Sequence, residues 1–412
     1  MKRWIHALLL ATVFPAAAAD LAIVDARIYP SPDAAPIEHG TVLLRDGLIA
    51  GIGSSDQITV PAGATVIEGA GRVVTAGFWN SHVHFLSPVL REAATRPASE
   101  LDVALETMLT RWGFTTVFDI ASFDHSAAAL RGRIEKGEVD GPNVLYVDAP
   151  FFPEGGTPVY IRDLLAALGV PSAEVADAGQ ARARASRQLA DGADGVKLFA
   201  GAIVGGEIGV LPMDVDIARA VVEEAHRQGK PAFAHPADLA GLEVSLAAGV
   251  DVLAHTTPFA GPWDAALVRR LRDADVALIP TLTLFEAELD REDATAEVVE
   301  RFIVVATQQV GAFATAGGTV LFGTDVGYIE QVDTVREFEL MARAGLDWRQ
   351  ILASLTTAPA ARFGQDDRKG RIVSGMAADL VVLGSDPADA VTGFSDVDLT
   401  IRGGEVIYRA DD

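Results

Sequence analysis

Apolar and polar positions alternate along short strand-like segments at both ends of the chain, while the middle follows a different pattern. Near the N-terminus these segments are separated by turns, and Asp46-Gly47 between two of them is typical of a β-hairpin. Near the C-terminus, residues 399–409 are again strand-like and are interrupted at Gly403-Gly404. Because neither end has enough apolar residues for a core of its own, we predict that 20–74 and 369–412 pair into one small β-sandwich domain.

The middle of the chain, residues 75–368, repeats a unit in which a short apolar run is followed by a loop and a segment with helical periodicity. Helices are predicted over Val215–Gln228, with Asp214 as the N-cap, and over Thr334–Ala344. Strands that alternate with helices predict an α/β fold with a parallel sheet. Eight such units predict a closed (β/α)₈ TIM barrel, whose active sites lie at the C-terminal ends of the strands. The predicted strands are Val74–Val83, Thr115–Ile120, Asn143–Val147, Gly195–Phe199, Pro231–His235, Asp251–His255, Ala277–Thr281 and Thr319–Asp325.

Composition narrows the chemistry that such a fold can support. Of the 412 residues, 50% are hydrophobic, which is enough for a sizeable core, and 57 acidic against 33 basic residues give a formal charge of −24. A chain of this charge repels polyanions, so nucleic acid is not an expected partner. The absence of cysteine excludes disulfides, thiolate metal ligands and cysteine nucleophiles. Any metal must therefore be held by nitrogen and oxygen.

The first residues have the order of a secretory signal peptide. Two basic residues precede an apolar run over residues 4–14, and small residues follow at 17–19. The run is shorter than the roughly 20 apolar residues that span a bilayer, which argues against a membrane anchor. We therefore predict cleavage after Ala19, removal of 1–19, and a secreted, periplasmic mature protein without stable membrane insertion.

Four histidines fall at the ends of three predicted strands. His82 and His84 lie two residues apart, so strand alternation directs both imidazoles to the same face, where they can bind one metal ion. His235 closes the fifth strand and His255 the sixth. A single histidine after an apolar run is more often a hydrogen-bonded core residue than a ligand. Four histidines at the same end of one barrel favour a metal site.

Two further ionisable residues belong to the same set of strands. Lys197 lies in a strand that should be buried on both faces, and burial lowers the pKa of a lysine amine. A neutral amine can react with carbon dioxide to form a carbamate that bridges metal ions, whereas a salt bridge or a stem that reaches solvent is the alternative. Asp325 ends the eighth strand, where we expect a metal ligand or a general base, with capping of the following segment as the alternative.

Loop residues with polar or aromatic side chains are predicted to lie at the same rim, where they would contact a substrate. The alternative for each of them is an ordinary solvated loop residue. The predicted contacts are His125, Glu154, Tyr160, Glu207 and Tyr328.

A set of short motifs runs through nearly the whole mature chain. They are Val42–Ile49, Gly77–His84, Gly323–Asp325 and Gly375–Val382, together with Lys197, His235 and His255. This combination resembles the amidohydrolase superfamily of metal-dependent hydrolases, and within it the imidazolonepropionase-like and Xaa-Pro dipeptidase-like members. Two positions depart from the family pattern, because Ala76 stands where proline is usual and Asn80 where aspartate is often found.

The resemblance implies a binuclear metal centre. Histidine and oxygen ligands fit zinc best, with manganese, iron or cobalt as alternatives. The implied cofactors are therefore two divalent ions, with carbon dioxide bound as the N6-carboxylysine form of Lys197. An outward-facing Lys197 would leave a mononuclear enzyme. The resemblance assigns to the more buried ion His82, His84 and Asp325, to the more exposed ion His235 and His255, and to the bridge carboxylated Lys197.

The implied activity is metal-assisted hydrolysis of a carbon–nitrogen bond in a small molecule. A hydroxide that bridges the two ions would attack the carbonyl, while Asp325 takes its proton and passes it to the leaving nitrogen. The bridging lysine favours an acyclic amide, namely a dipeptide or an N-acyl amino acid. A deaminase is disfavoured because Asp238 stands where a His-x-x-Glu motif beginning at His235 would need glutamate.

Alternatives to this activity stay open at the level of the sequence. Within enzymes, the alternative is ring opening of a cyclic amide such as an imidazolone-type lactam. From another functional class, the alternative is a non-catalytic metal-binding barrel, although the complete set of ligands argues against such decay. A homo-oligomer is expected only because related enzymes commonly associate.

Overall fold

The computed structural model of the protein describes residues 20–122 and 125–411, which form a mixed α/β fold. The predicted signal peptide, 1–19, lies outside the described residues. The strands are β1 Leu21–Ile28, β2 Ile37–Arg45, β3 Leu48–Ser54, β4 Thr65–Glu68, β5 Val73–Ala76, β6 Phe78–Val83, β7 Phe114–Asp119, β8 Asn143–Tyr146, β9 Phe152–Pro153, β10 Glu174–Val175, β11 Val196–Phe199, β12 Gly201–Gly205, β13 Gly209–Pro212, β14 Ala232–His235, β15 Val252–Ala254, β16 Ala277–Ile279, β17 Leu380–Leu383, β18 Val397–Arg402 and β19 Glu405–Arg409.

Helices follow most strands of the middle part, and both helices predicted from periodicity are confirmed, as α6 and α11. Oδ1 of Asp214 accepts hydrogen bonds from Asp216 N (2.8 Å) and Ile217 N (3.3 Å), so the predicted N-cap starts α6. Among residues 20–122 and 125–411, no helix has the length and apolar character needed to cross a membrane. The α-helices are α1 Pro88–Arg91, α2 Ala98–Met108, α3 Ser126–Glu135, α4 Val159–Leu168, α5 Ala178–Ala190, α6 Val215–Arg227, α7 Leu239–Ala248, α8 Ala265–Asp273, α9 Leu282–Arg291, α10 Ala296–Thr315, α11 Val335–Arg343, α12 Trp348–Leu355 and α13 Thr357–Arg362, with 3₁₀ turns at Thr110–Trp112, Pro258–Ala260 and Val391–Ser395.

Strands from both ends of the chain share one sheet. β17 pairs antiparallel with β5, β18 pairs with β17, and β19 pairs with β18. The two chain ends therefore pair, as predicted. Asp46 and Gly47, with φ of 50° and 77°, form the turn between β2 and β3 that the sequence predicts. All these strands belong to a single sheet, and its folding into a two-layer sandwich stays a prediction. The strand order is β19-β18-β17-β5-β1-β2-β3, with β4 beside β1.

The single strand predicted over Val74–Val83 is wrong, because Gly77 divides it. β5 belongs to the sheet of the chain ends and β6 to a sheet of the middle part. A Cβ atom at Gly77 would lie 2.1 Å from Oγ1 of Thr115, so only glycine allows the backbone to approach β7 this closely. The chain therefore passes from one sheet to the other at this glycine.

The middle part contains two parallel sheets, β6-β7-β8 and β11-β14-β15-β16. Backbone hydrogen bonds connect β8 and the loop after it to β11. Asp194 N donates to Tyr146 O (2.7 Å), Phe151 N donates to Lys197 O (2.8 Å), and Phe199 N donates back to Phe151 O (2.9 Å). These contacts join one edge of the first sheet to one edge of the second.

The opposite edges are joined by an extended segment, residues 319–326. Leu321 N donates to Leu278 O (2.9 Å) of β16, and Ser81 N of β6 donates to Phe322 O (2.8 Å). The eighth predicted strand is thus present as an extended segment held by hydrogen bonds and isolated bridges rather than as a regular strand.

Alternate residues of the parallel strands face two apolar layers. On β14, Ala232 and Ala234 pack in the layer that contains residues of α6, whereas Phe233 packs in an inner layer with residues of the other strands. His235 follows Phe233 by two positions and lies at the end of the strand. In register with these two are Lys197 and Phe199 of β11. The inner apolar layer thus lies below a group of ionisable side chains at the strand ends.

Candidate metal centre and substrate cavity

His82 and His84 meet at the end of β6. Their Nε2 atoms lie 3.1 Å apart, which agrees with the expectation that both imidazoles share one face. Nδ1 of His84 lies 3.2 Å from Ala121 O, a contact that suits an N–H at Nδ1 and leaves Nε2 as the free nitrogen. Burial lowers the pKa of His82 to about 4. Its imidazole is therefore neutral at physiological pH, which is the form that binds metal ions.

Asp325 brings its carboxylate against the same two imidazoles. Oδ1 lies 2.8 Å from Nε2 of His84 and 3.2 Å from Nε2 of His82. Burial opposes ionisation, but the two imidazoles hold the pKa of Asp325 well below its usual range. Asp325 N donates to His82 O (2.9 Å), so the backbone itself keeps the two segments side by side.

Asn80 connects the segment that carries His82 to the segment that carries Asp325 by hydrogen bonds. Its Nδ2 donates to Oγ1 of Thr324 (2.8 Å), and its Oδ1 accepts from His82 N (3.2 Å) and Thr324 N (3.3 Å). An ionised aspartate has no donor for the Thr324 hydroxyl. The departure from the family pattern at Asn80 is therefore accommodated by a buried hydrogen-bond network that positions two of the candidate ligands.

The spacing of these donors fits a shared cation. When metal–ligand bonds are about 2.0–2.1 Å long, neighbouring donors of a tetrahedral or octahedral site lie roughly 2.8–3.4 Å apart. The three contacts among His82, His84 and Asp325 are 3.1, 3.2 and 2.8 Å. Despite these short distances, Oδ1 of Asp325 has no hydrogen-bond partner among the described residues. A metal ion would satisfy this oxygen, so the residues present fit such a group.

His255 reaches the centre through an uncommon backbone conformation. β15 ends at Ala254, one residue earlier than predicted, and His255 has a φ of 81°. Ala254 already faces the inner layer, so regular alternation would direct the next side chain outward, and the positive φ turns it back. Nδ1 of His255 lies 2.6 Å from Oγ1 of Thr281, which leaves Nε2 directed at Oδ2 of Asp325, 3.8 Å away. Donor atoms of His82, His255 and Asp325 all lie within 4.8 Å of one another.

His235 adds a fourth imidazole from the neighbouring strand. Its ring centroid lies 4.9 Å from that of His255, and it stacks on Phe199 at 4.7 Å. Nε2 of His235 is buried and has no hydrogen-bond partner within the described part of the chain. Burial lowers the pKa of His235 to about 3, so this imidazole is also neutral and free to act as a ligand.

Lys197 lies in a buried and largely apolar setting beneath these imidazoles. The residue is 2% exposed, Phe233 is its neighbour in register, and Nζ lies 5.9 Å from the centroid of the Phe199 ring. Burial lowers the pKa of Lys197 to about 7, although Asp325 opposes this shift. A substantial fraction of the amine is therefore neutral near pH 7, as reaction with carbon dioxide requires.

Two of the predicted substrate contacts line a cavity above these side chains. Tyr160 and Tyr328 form part of its wall, and their ring centroids lie 5.4 Å apart. The hydroxyl of Tyr328 donates to Oε1 of Glu288 (2.8 Å), which also lines the cavity.

The structure does not bring the other three predicted contacts to this wall. The side chain of His125 is 67% exposed, and its Nδ1 lies 3.0 Å from Oδ2 of Asp148. Glu154 follows the short strand β9 in an exposed loop, and Glu207 lies at the exposed tip of the β12–β13 hairpin. These placements follow from loop geometry, which the sequence pattern does not define.

A buried glutamate that helps to position the site, Glu337, is not marked by any sequence motif. Glu337 of α11 is 1% exposed and accepts hydrogen bonds from Leu282 N (2.9 Å) and Thr283 N (2.8 Å). It thus caps α9, whose N-cap residue Thr281 contacts His255. Burial raises the pKa of Glu337 to about 7. The only signal in the sequence was a glutamate among the apolar residues of a predicted helix, and this signal is weak.

The cavity contains about 890 Å³ of empty space, part of which is open to bulk solvent. The candidate metal ligands lie in its wall together with Glu288. Most of the remaining wall is apolar, and it includes Phe152, Ile203 and Phe285. Such a cavity can hold a small molecule that presents a polar group to the histidines and an apolar body to the wall.

Comparison with known proteins identifies the family. The sequence model of the amidohydrolase family matches residues 73–407, which is most of the chain. The protein belongs to the amidohydrolase family. This result confirms the resemblance inferred from the sequence motifs. The family comprises typically metal-dependent hydrolases, and a cluster of two histidines and an aspartate suits that class.

Relatives of this amidohydrolase match it over most of their length. The ochratoxinase of Aspergillus niger is 23% identical over 421 residues, covering 92% of this chain and 84% of the relative. A candidate prolidase from Bifidobacterium longum has a solved structure that superposes with a TM-score of 0.78 at 25% identity, covering 95% of both chains. The structure of a Xaa-Pro dipeptidase with bound methionine superposes with a TM-score of 0.79 at 20% identity, covering 95% of this chain and 100% of the other.

Proposed function

We propose that this amidohydrolase cleaves an amide bond of a small molecule at a centre of two divalent metal ions. The observation that carries the proposal is the convergence of His82, His84 and Asp325, whose donors are spaced as ligands of one ion and whose buried oxygen lacks another partner. Hydrolysis of carbon–nitrogen bonds is the activity that family membership supports.

The centre would lie at the mouth of a closed (β/α)₈ barrel formed by residues 75–368. The hydrogen bonds that link β8 to β11, and those that link β16 to β6 through 319–326, support closure on both sides. His235, the last residue of β14, and His255, directly after β15, then lie at the same end of the barrel. The paired chain ends, 20–74 and 369–412, would form a separate β domain beside it.

The ligands would divide into two groups. The short contacts described above support one ion held by His82, His84 and Asp325. The free Nε2 atom of His235 and the orientation of His255 support a second ion, and carboxylated Lys197 would bridge the pair. Neutral imidazole and carboxylate donors suit zinc best.

When bound, the ions would supply a nucleophilic oxygen at neutral pH and polarise the substrate carbonyl. Asp325 would move the proton. Its Oδ1 faces His82 and His84, whereas Oδ2 is 3.8 Å from Nε2 of His255 and is the oxygen available to accept a proton from the attacking water. The same carboxyl would then give the proton to the leaving nitrogen. The apolar wall would exclude bulk water from this transfer.

A dipeptide or an N-acyl amino acid is the substrate class that we propose. The similarity to a candidate prolidase, a Xaa-Pro dipeptidase and an ochratoxinase supports a small acyclic amide. The largely apolar cavity wall, with the candidate metal ligands in it, suits a small molecule that has a polar amide and an apolar body. The signal pattern of residues 1–19 supports action in the periplasm.

Hydrolysis of a substrate panel by zinc-loaded protein tests this proposal. We expect release of free amine from dipeptides or N-acyl amino acids, loss of this activity after removal of metal with a chelator, and recovery when zinc is restored. Imidazolone-type lactams serve as the comparison class. Protein that binds zinc stoichiometrically but hydrolyses no amide in the panel would contradict the proposal.

A further inference from the structure

Glu288 is a carboxylate in the cavity wall that the proposed chemistry does not use. It lies on α9 one turn after Leu284 and Phe285, so these three side chains share the helix face that lines the cavity. Oε1 accepts the hydrogen bond of the Tyr328 hydroxyl (2.8 Å). Within residues 20–122 and 125–411, no ion pair involves Glu288.

Hydrogen bonds connect Glu288 to the segment that carries Asp325. Tyr328 N donates to Asp325 O (3.2 Å), so the tyrosine follows the candidate ligand in a tight turn. The hydroxyl of Tyr328 donates to Glu288, and the ring of Tyr328 packs against the ring of Tyr160. The carboxylate therefore has a fixed position in the same cavity as the metal ligands.

The charges around this carboxylate favour a cation. Apart from Lys197, the cavity wall contains no lysine or arginine among the described residues. Arg291 lies behind the Tyr328 ring, 5.1 Å from its centroid, and donates to Tyr328 O, so it is not directed into the cavity. Burial raises the pKa of Glu288, and repulsion from Asp325 adds to this shift, whereas the hydrogen bond from Tyr328 and the positive charge of Arg291 oppose it only in part. The net charge of −24 also attracts cationic molecules to the protein.

We propose that Glu288 binds a protonated amine of the substrate and so forms a cation subsite. The preferred amide would then carry an ammonium group on an otherwise apolar body. The inference rests on the proposed amide hydrolysis and adds a specificity determinant to it. The apolar wall residues Phe152, Leu284 and Phe285 would hold the body, and Tyr328 would orient the carboxylate.

Matched substrate pairs test this subsite. Zinc-loaded protein is assayed with L-phenylalanine anilide against 3-phenylpropanoic anilide, which lacks the amine on the acyl side. A second pair, N-phenylacetyl-1,5-diaminopentane against N-phenylacetyl-pentylamine, places the amine on the leaving side. We expect kcat/KM to be about tenfold or more higher for the amine-bearing member of at least one pair, because hydrogen bonds to charged groups are among the stronger ones.

The variant Glu288→Gln removes the charge and keeps an acceptor for Tyr328, so it should bring this kcat/KM ratio close to one. Tyr328→Phe, which removes the orienting donor, should lower the ratio partly. Glu292→Gln, an exposed position at the end of the same helix, is the matched control and should keep the ratio of the unmodified protein. Circular dichroism confirms that each variant is folded.

The outcomes separate the two proposals. Hydrolysis without preference for the amine-bearing member in either pair, or a preference that survives Glu288→Gln, would overturn the subsite and leave the amide hydrolase standing. Absence of hydrolysis with every amide of both the pairs and the broader panel would instead overturn the proposed function on which the subsite rests.

Discussion

The variant Asp325→Asn is expected to lower kcat/KM for amide hydrolysis by about 10²–10⁴-fold, the usual contribution of a positioned general acid–base group. Asparagine keeps an oxygen for the contacts that Oδ1 makes with His82 and His84. It cannot accept and return a proton at the position of Oδ2. The chemistry should therefore fail while most of the metal stays bound.

The backbone at this position suits the substitution. Asp325 has a φ of 62°, and asparagine is one of the few residues that adopt this left-handed conformation readily. Asp293→Asn is the matched control, because Asp293 also has a positive φ (54°) and is exposed. The measurement combines steady-state kinetics with metal analysis of each variant. Undiminished turnover in Asp325→Asn would remove the assigned proton-transfer role.

The variant Lys197→Met is expected to reduce the metal content from two ions per chain to one and to lower kcat/KM by at least about 100-fold. Loss of groups that merely orient a metal ligand typically costs 10–100-fold in affinity or activity, and a bridging ligand contributes more directly. Methionine fills a similar apolar volume beside Phe233, so the inner layer should stay packed.

Metal analysis and carbon-13 NMR of protein prepared with labelled bicarbonate measure this effect. The unmodified protein should show a carbamate signal that Lys197→Met lacks. Lys136→Met, at an exposed helix end, is the matched control and should retain both the signal and the two ions. Two bound ions and full activity in Lys197→Met would show that the lysine is not a bridge.

Features that depend on residues close together in the sequence could be predicted from the sequence alone. The helix over 215–227 was predictable because its apolar stripe and the Asp214 cap are both local signals. The His82 and His84 pair was predictable because strand alternation places residues two apart on one face. The family motifs then brought Lys197 and Asp325 into the same hypothesis.

Other features depend on contacts that are distant in the sequence. The break at Gly77 depends on how closely the backbone approaches Thr115. The inward orientation of His255 depends on a positive φ that no residue pattern indicates. Glu288 is not marked by any local pattern, because its place in the cavity wall depends on how α9, which Glu337 caps, packs in the fold.

Anomalous diffraction at the zinc absorption edge, from crystals of zinc-loaded protein, shows directly whether two metal ions share these ligands. We expect two peaks per chain within one cavity. Crystals with stoichiometric zinc that show one peak, or peaks away from these side chains, would contradict it. The predicted neighbours are His82, His84 and Asp325 for the first peak and His235 and His255 for the second, with Lys197 between the two.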